Sequence, residues 1–170
     1  MLRIVDITAP DINNGNGLRV TLWVAGCNHR CKGCHNAWTW KYEQGRIFSE
    51  EQNKIFEELS EWLDRDYIEG LTLSGGDPLA QDNDGLCELY SIIEWFREKY
   101  PTKNIWLYTG YVYEELSGLQ KEVADNCDVI VDGPYKEELR DIAHCPFRGS
   151  TNQRILNMID RTIINYISKV

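Results

Sequence analysis

Runs with the two-residue period of a strand alternate along this chain with runs of helical period, and that alternation limits the fold more than any other feature. Leu18-Arg19-Val20-Thr21-Leu22-Trp23-Val24 reads as a strand. Ser49-Glu50-Glu51-Gln52 then reads as a capping box opening a helix, with Ile55, Phe56, Leu59, Trp62 and Leu63 on one face. Leu71 to Ser74 is a short strand, and a second helix near Asp84 to Lys99 carries Leu86, Leu89, Tyr90, Ile93 and Phe96 inward. A strand at Ile105 to Thr109, a helical stretch with Leu116, Leu119 and Val123, and a strand at Asp128 to Asp132 complete a β-α-β-α-β-α-β order. Such alternation predicts parallel pairing through right-handed crossovers, hence an α/β sheet covered by helices. With so few units, an open, partial parallel β/α barrel is expected rather than a closed eight-stranded one. The 170 residues fit a single domain.

In folds of this class, ligand sites gather where parallel strands deliver their C-terminal ends. The first predicted strand runs directly into Cys27-Asn28-His29-Arg30-Cys31-Lys32-Gly33-Cys34. Three soft thiolates at this spacing can wrap one face of a four-iron cluster and leave the fourth iron open to a small molecule. Two other readings compete. A structural zinc site would take Cys27, Cys31 and Cys34 with His29, His35 or His144 as fourth ligand. Thioredoxin-like chemistry at Cys31-Lys32-Gly33-Cys34 would leave Cys27 surplus. Cys87, Cys127 and Cys145 are scattered, and no chemistry is assigned to them. The turn Gly75-Gly76-Asp77-Pro78 also follows a strand, so it should share a rim with the cysteines although 41 residues separate Cys34 from Gly75. Its glycines let backbone approach a ligand closely, and Asp77 would offer a carboxylate to a cationic group. A tight bend capping the next segment is the plainer alternative.

The cysteine spacing together with that turn resembles the radical S-adenosylmethionine (SAM) superfamily. Cys34-His35-Asn36 followed by Thr39-Trp40 resembles the segment after the cluster in activases of glycyl radical enzymes. Arg148-Gly149-Ser150, Asn152-Gln153-Arg154, Leu71 to Leu79 and Trp106 to Tyr111 are similar to the small activases of anaerobic ribonucleotide reductase. The likeness covers a core of about 17–154. It implies a small, single-domain barrel of the radical SAM type, with a 4Fe-4S cluster and SAM as cofactors. Cys27, Cys31 and Cys34 would hold the cluster, and SAM would chelate the open iron. Reductive cleavage of SAM would yield a radical that takes a hydrogen atom from a glycine of the large class III reductase. Gly75, Gly76, Asp77 and Pro78 match the motif at the SAM amino group. Gly33 stands where many relatives carry an aromatic residue near adenine, so His35, or Trp38 or Trp40, is expected to supply that face, with Asn36 as a further cofactor-binding residue. Tyr108 and Pro134 occupy positions where formate-lyase-type activases hold the ribose, and Asp132 keeps the strand-end acid. No side chain beyond the cluster and SAM is expected to be catalytic. Rival readings are a 7-carboxy-7-deazaguanine synthase-like enzyme, an activase of a different glycyl radical enzyme, and a non-catalytic zinc or electron-transfer module.

Charge and hydropathy bound the partners. With 18 basic and 27 acidic residues the net charge is −9, which argues against nucleic acid. His29, Arg30 and Lys32 make the cysteine loop locally positive, so an acidic electron donor, flavodoxin or ferredoxin-like, is expected to dock there. Asp6 and Asp11 interrupt any apolar core after Arg3 and no run reaches membrane-spanning length, so a cytoplasmic protein is expected. Asn13-Asn14-Gly15-Asn16-Gly17 is a turn-former, with a substrate-facing edge as its functional alternative. Ile159, Ile163, Ile164 and Ile167 suggest that the tail from Asn157 packs as a short helix or meets a partner.

Overall fold

Seven strands hydrogen-bond into one sheet in the order β3-β1-β2-β4-β5-β6-β7 in the computed structural model, which describes residues 1–140 and 146–166. His144, Cys145 and Ile167 lie outside the described residues. The strands are β1 (Arg3–Asp11), β2 (Leu18–Val24), β3 (Arg46–Ile47), β4 (Ile68–Gly75), β5 (Asn104–Tyr108), β6 (Val129–Asp132) and β7 (Arg154–Asn157). The helices are α1 (Phe48–Leu63), α2 (Asn83–Lys99) and α3 (Gly118–Asp125).

The four strands read from periodicity, β2, β4, β5 and β6, pair in parallel and lie side by side in chain order. The expectation of a wholly parallel sheet is corrected at both margins. β1 runs antiparallel to β2 and β3, and β7 runs antiparallel to β6. Each antiparallel neighbour is reached by a connection that needs no covering helix, which is why the helix-strand rhythm did not announce it.

Strand alternation divides the side chains between two faces. Leu71 and Leu73 of β4, Ile105 and Leu107 of β5 and Ile130 of β6 join Ile55, Leu59 and Leu63 of α1 and Leu89, Ile93 and Phe96 of α2 in the main core. The opposite face carries Arg19 and Thr21 of β2, Thr72 and Ser74 of β4, and Trp106 and Val131, all buried. Trp106, Val131 and Ile155 form a smaller apolar cluster there with Phe147, Ile164 and Tyr166. Helices therefore cover one face, while the chain's own residues 147–166 partly cover the other.

Two local expectations change. Ser49 sits inside α1, whose N-cap is Ile47 with no side-chain hydrogen bond, and the helix kinks at Glu51 (φ −121°, ψ 20°). The tail forms no helix among the described residues. Arg161 takes a positive φ of 60°, and the chain reverses so that Asn157 N–H donates to Thr162 O (2.8 Å) and Ile164 N–H to Ile155 O (2.7 Å). Of the tail isoleucines, Ile164 packs on the small cluster, whereas Ile159 is 85% exposed.

Candidate functional site

The parallel strands end at one rim, and the segments leaving them line a cavity of about 480 Å³. Cys27 follows β2, Gly76 and Asp77 follow β4, Thr109 and Gly110 follow β5, and Gly133 and Tyr135 follow β6. Cys31, Cys34, His35 and Asn36 complete one wall with Gly75 and Tyr108, while Phe147, Arg148, Gly149 and Gln153 close the side toward the tail.

Backbone hydrogen bonds close the base of the cysteine loop. Gly26 N–H donates to Thr39 O (2.8 Å) and Cys27 N–H to Trp40 O (3.1 Å), so Thr39-Trp40 acts as a clasp. Within the loop, Cys34 N–H donates to Cys31 O (3.2 Å), and Gly33 takes a φ of +72° that admits glycine readily. The β4 turn is stitched to this loop, with Gly76 N–H donating to Val24 O and Asp77 N–H to Gly26 O, both at 2.8 Å. A Cβ on Gly76 would stand 2.2 Å from Gly26 O, so no larger residue allows this approach.

Burial raises the pKa of the Cys27 thiol, partly opposed by the His29 and Arg30 backbone amides. Burial likewise raises that of Cys31, against the backbone amide of Tyr135. Among the described residues no three His, Cys, Asp or Glu side chains converge as one tetrahedral ion requires. A cubane gives each thiolate its own iron, so three separated cysteines on one wall fit it better than a zinc clip. His29 is also unsuited to complete a zinc site through Nε2, because that nitrogen is bonded to Asp77 Oδ2 at 2.8 Å. The opposite wall fits a polar ligand, since Tyr135 Oη and Arg148 Nε are buried with no hydrogen-bond partner.

The family of 4Fe-4S single cluster domains matches residues 13–156 of this chain. A protein of Enterobacteria phage T4 is 41% identical over 150 residues, covering 88% of this chain and 90% of its own. Proteins of Salmonella typhimurium and Escherichia coli K12 are 40% and 39% identical over 144 residues, covering 84% of this chain and 90% of theirs. All three carry the name anaerobic ribonucleoside-triphosphate reductase-activating protein. The chain belongs to that family.

Not every residue expected at the site is there. Cys27, Cys31, Cys34, His35, Asn36, Gly75, Gly76, Asp77 and Tyr108 line the cavity, while Pro78 and Asp132 do not. Asp132 is 1% exposed and turned toward β7 and the loop after β5, accepting hydrogen bonds from Arg154 Nε (3.0 Å) and Tyr113 N–H (2.8 Å). Asp77 lines the cavity, and both oxygens of its carboxylate are taken by donors of the protein. Oδ1 accepts from Leu79 N–H (2.9 Å), and Oδ2 from His29, Thr109 Oγ1 (3.1 Å) and Gly110 N–H (2.8 Å). That hydrogen bond raises the His29 pKa against the opposing effect of burial. On the same loop Lys32 meets Glu137 at 3.2 Å while staying 91% exposed, and Arg30 is exposed as well.

Sequence reasoning noticed the Arg148 to Arg154 segment without giving it a task. Gln153 Oε1 accepts from Gly149 N–H (2.9 Å) and Ser150 N–H (3.2 Å), while its Nε2 donates to Gly133 O (2.9 Å). Asn152 Nδ2 donates to Pro134 O at 2.8 Å. These bonds buckle the tail wall onto the loop after β6. Asn13 and Asn14 also reach the cavity, their turn held by Asp11 through Asn13 N–H (2.7 Å) and Asn14 Nδ2 (2.6 Å). Trp23 and Tyr135 were not expected as lining residues, and strand position alone carried no signal for them.

Proposed function

We propose that this protein activates the large subunit of an anaerobic, class III ribonucleotide reductase as a radical SAM enzyme of one domain. When bound, a reduced 4Fe-4S cluster and SAM supply a primary carbon radical able to remove a hydrogen atom from a glycine of the reductase. The observation that carries this reading is the single cavity shared by Cys27, Cys31 and Cys34 with the Gly75-Gly76-Asp77 turn. Family membership supports it, because the relatives are named for activating that reductase.

Three cysteines on one wall suit three irons of a cubane. The exposed backbone of the Gly75 to Asp77 turn would receive the methionyl end of SAM, with Pro78 stiffening the bend. Tyr108, His35 and Asn36 are suited to the adenosyl portion, and Asp132 would serve by fixing the β6 end through Arg154. The helix-free face supports the reading of the sheet as a partial barrel, since four parallel strands wound in one direction keep their crossovers on one side. A cytoplasmic setting and an acidic flavodoxin or ferredoxin-like donor belong to the same proposal. No helix among the described residues is long and apolar enough to cross a membrane.

The deciding experiment mixes anaerobically reconstituted, reduced protein and SAM with candidate large reductase subunits and follows electron paramagnetic resonance. A carbon-centred doublet on the reductase, with release of 5′-deoxyadenosine, is expected. A cluster-loaded protein that binds SAM yet never yields either signal refutes the activity.

A further inference from the structure

His29 stands between two of the cysteines, two residues from each, lines the same cavity, and points a ring nitrogen at Asp77. Its Nε2 donates to Asp77 Oδ2 at 2.8 Å, its ring meets Tyr111 edge-on at 4.5 Å, and it fills the space beside Gly110. A Cβ on Gly110 would lie 2.7 Å from His29 Cδ2, so the slot is shaped to a flat ring and closed to bulk on the other side. Asp77 is 1% exposed, and a carboxylate so buried needs donors on both oxygens. Those donors come from three places: the cysteine loop through His29, the turn after β5 through Thr109 and Gly110, and its own turn through Leu79.

We infer that His29 is a positioning residue that transmits the placement of the cysteine loop, through the Asp77 carboxylate, to the backbone of the Gly75 to Asp77 turn. The inference rests on the proposed function and deepens it. The carboxylate of the motif does not meet the ligand; it holds the ligand-facing backbone in register with the loop that carries the iron. The backbone bonds from Gly76 to Val24 and from Asp77 to Gly26 act only at the root of the loop, before Cys27. His29 is the side-chain link from within the cysteine run itself. Losing it should leave three thiolates able to hold a cluster while loosening the turn that faces SAM.

The test compares wild type, His29→Ala, His29→Gln and Asn28→Ala as anaerobically reconstituted holoproteins. Measured are iron content, the SAM dissociation constant and the change in the reduced cluster's paramagnetic spectrum on adding SAM. His29→Ala is expected to keep its iron within about a fifth of wild type, to bind SAM at least tenfold more weakly, and to lose or shift the SAM-induced spectral change. His29→Gln, which can still donate to Asp77, should recover affinity to within threefold. Asn28→Ala removes another side-chain tether of the cysteine loop, the hydrogen bond to Tyr111 Oη (3.3 Å), without touching Asp77, and should stay within threefold of wild type. Wild-type SAM affinity and spectrum in His29→Ala overturn the inference, and so does loss of its iron, which marks a role in loop folding alone. An equal deficit in Asn28→Ala overturns it too, because any tether of the loop would then serve. A wild-type protein that holds its cluster but binds no SAM defeats the proposed function itself, a result separate from all of these.

Discussion

Among the described residues Arg19 is the largest fully buried side chain, and no carboxylate lies within ion-pair distance of it. Burial lowers its pKa to about 10. Its guanidinium is instead shared among Thr72 Oγ1 (2.7 Å), Leu71 O (2.8 Å), Asn16 O (3.1 Å) and Asn104 O (3.2 Å), and it lies over the Trp106 ring. Arg19→Ala would strand those acceptors and open a cavity behind the Asn13 to Gly17 turn. A loss of about 3 kcal/mol is expected in urea denaturation. At the cysteines, replacing any one of Cys27, Cys31 or Cys34 by Ala should abolish SAM cleavage, whereas exposed Cys87→Ala should spare it, as 5′-deoxyadenosine release would report. The triplet was legible in the sequence because its ligands are neighbours in the chain. Asp77's partners were not, since the donors to its Oδ2 lie 48, 32 and 33 residues away. Composition around a turn cannot say which distant N–H groups will converge on it.

Secondary elements differ in how openly they announce themselves. β2, β4, β5 and β6 were readable because each is a hydrophobic run followed or preceded by a helix of clear amphipathic period. β1 was hidden by Asp6 and Pro10 and by a half-solvated face, β3 has only two residues, and β7 packs Ile155 and Leu156 to opposite sides in a four-residue strand. α2 has a true N-cap, Asp82, whose side chain accepts from Gly85 N–H at 2.7 Å. Asp82→Ala should cost about 1 kcal/mol of stability by chemical denaturation. The joint between β6 and β7 depends on the buried Asp132 being met by Arg154, which also bonds Glu114. Arg154→Met would leave that carboxylate without its cationic partner. A larger loss, about 3 kcal/mol, is expected, along with faster amide exchange in both strands.

At the scale of the whole molecule, the net charge of −9 repels an acidic donor, and on the cysteine loop Arg30 is exposed while exposed Lys32 is paired with Glu137. Arg30→Glu should therefore slow cluster reduction by flavodoxin severalfold at low salt, with the difference shrinking as ionic strength rises, in stopped-flow absorbance. The two margins of the sheet differ. β3 covers β1 only at Arg3 and Ile4, whereas the outer edge of β7 is occupied by the chain's own residues 162–164, with Ile163 bridged to Leu156. A row of unpaired amides is a template for another chain, so a variant ending at Asn157 should self-associate, visible as concentration-dependent light scattering. The returning tail thus does for the sheet what a selvedge does for cloth. It finishes the weave on that side, where strands from neighbouring molecules would otherwise find a row of free amides to catch on.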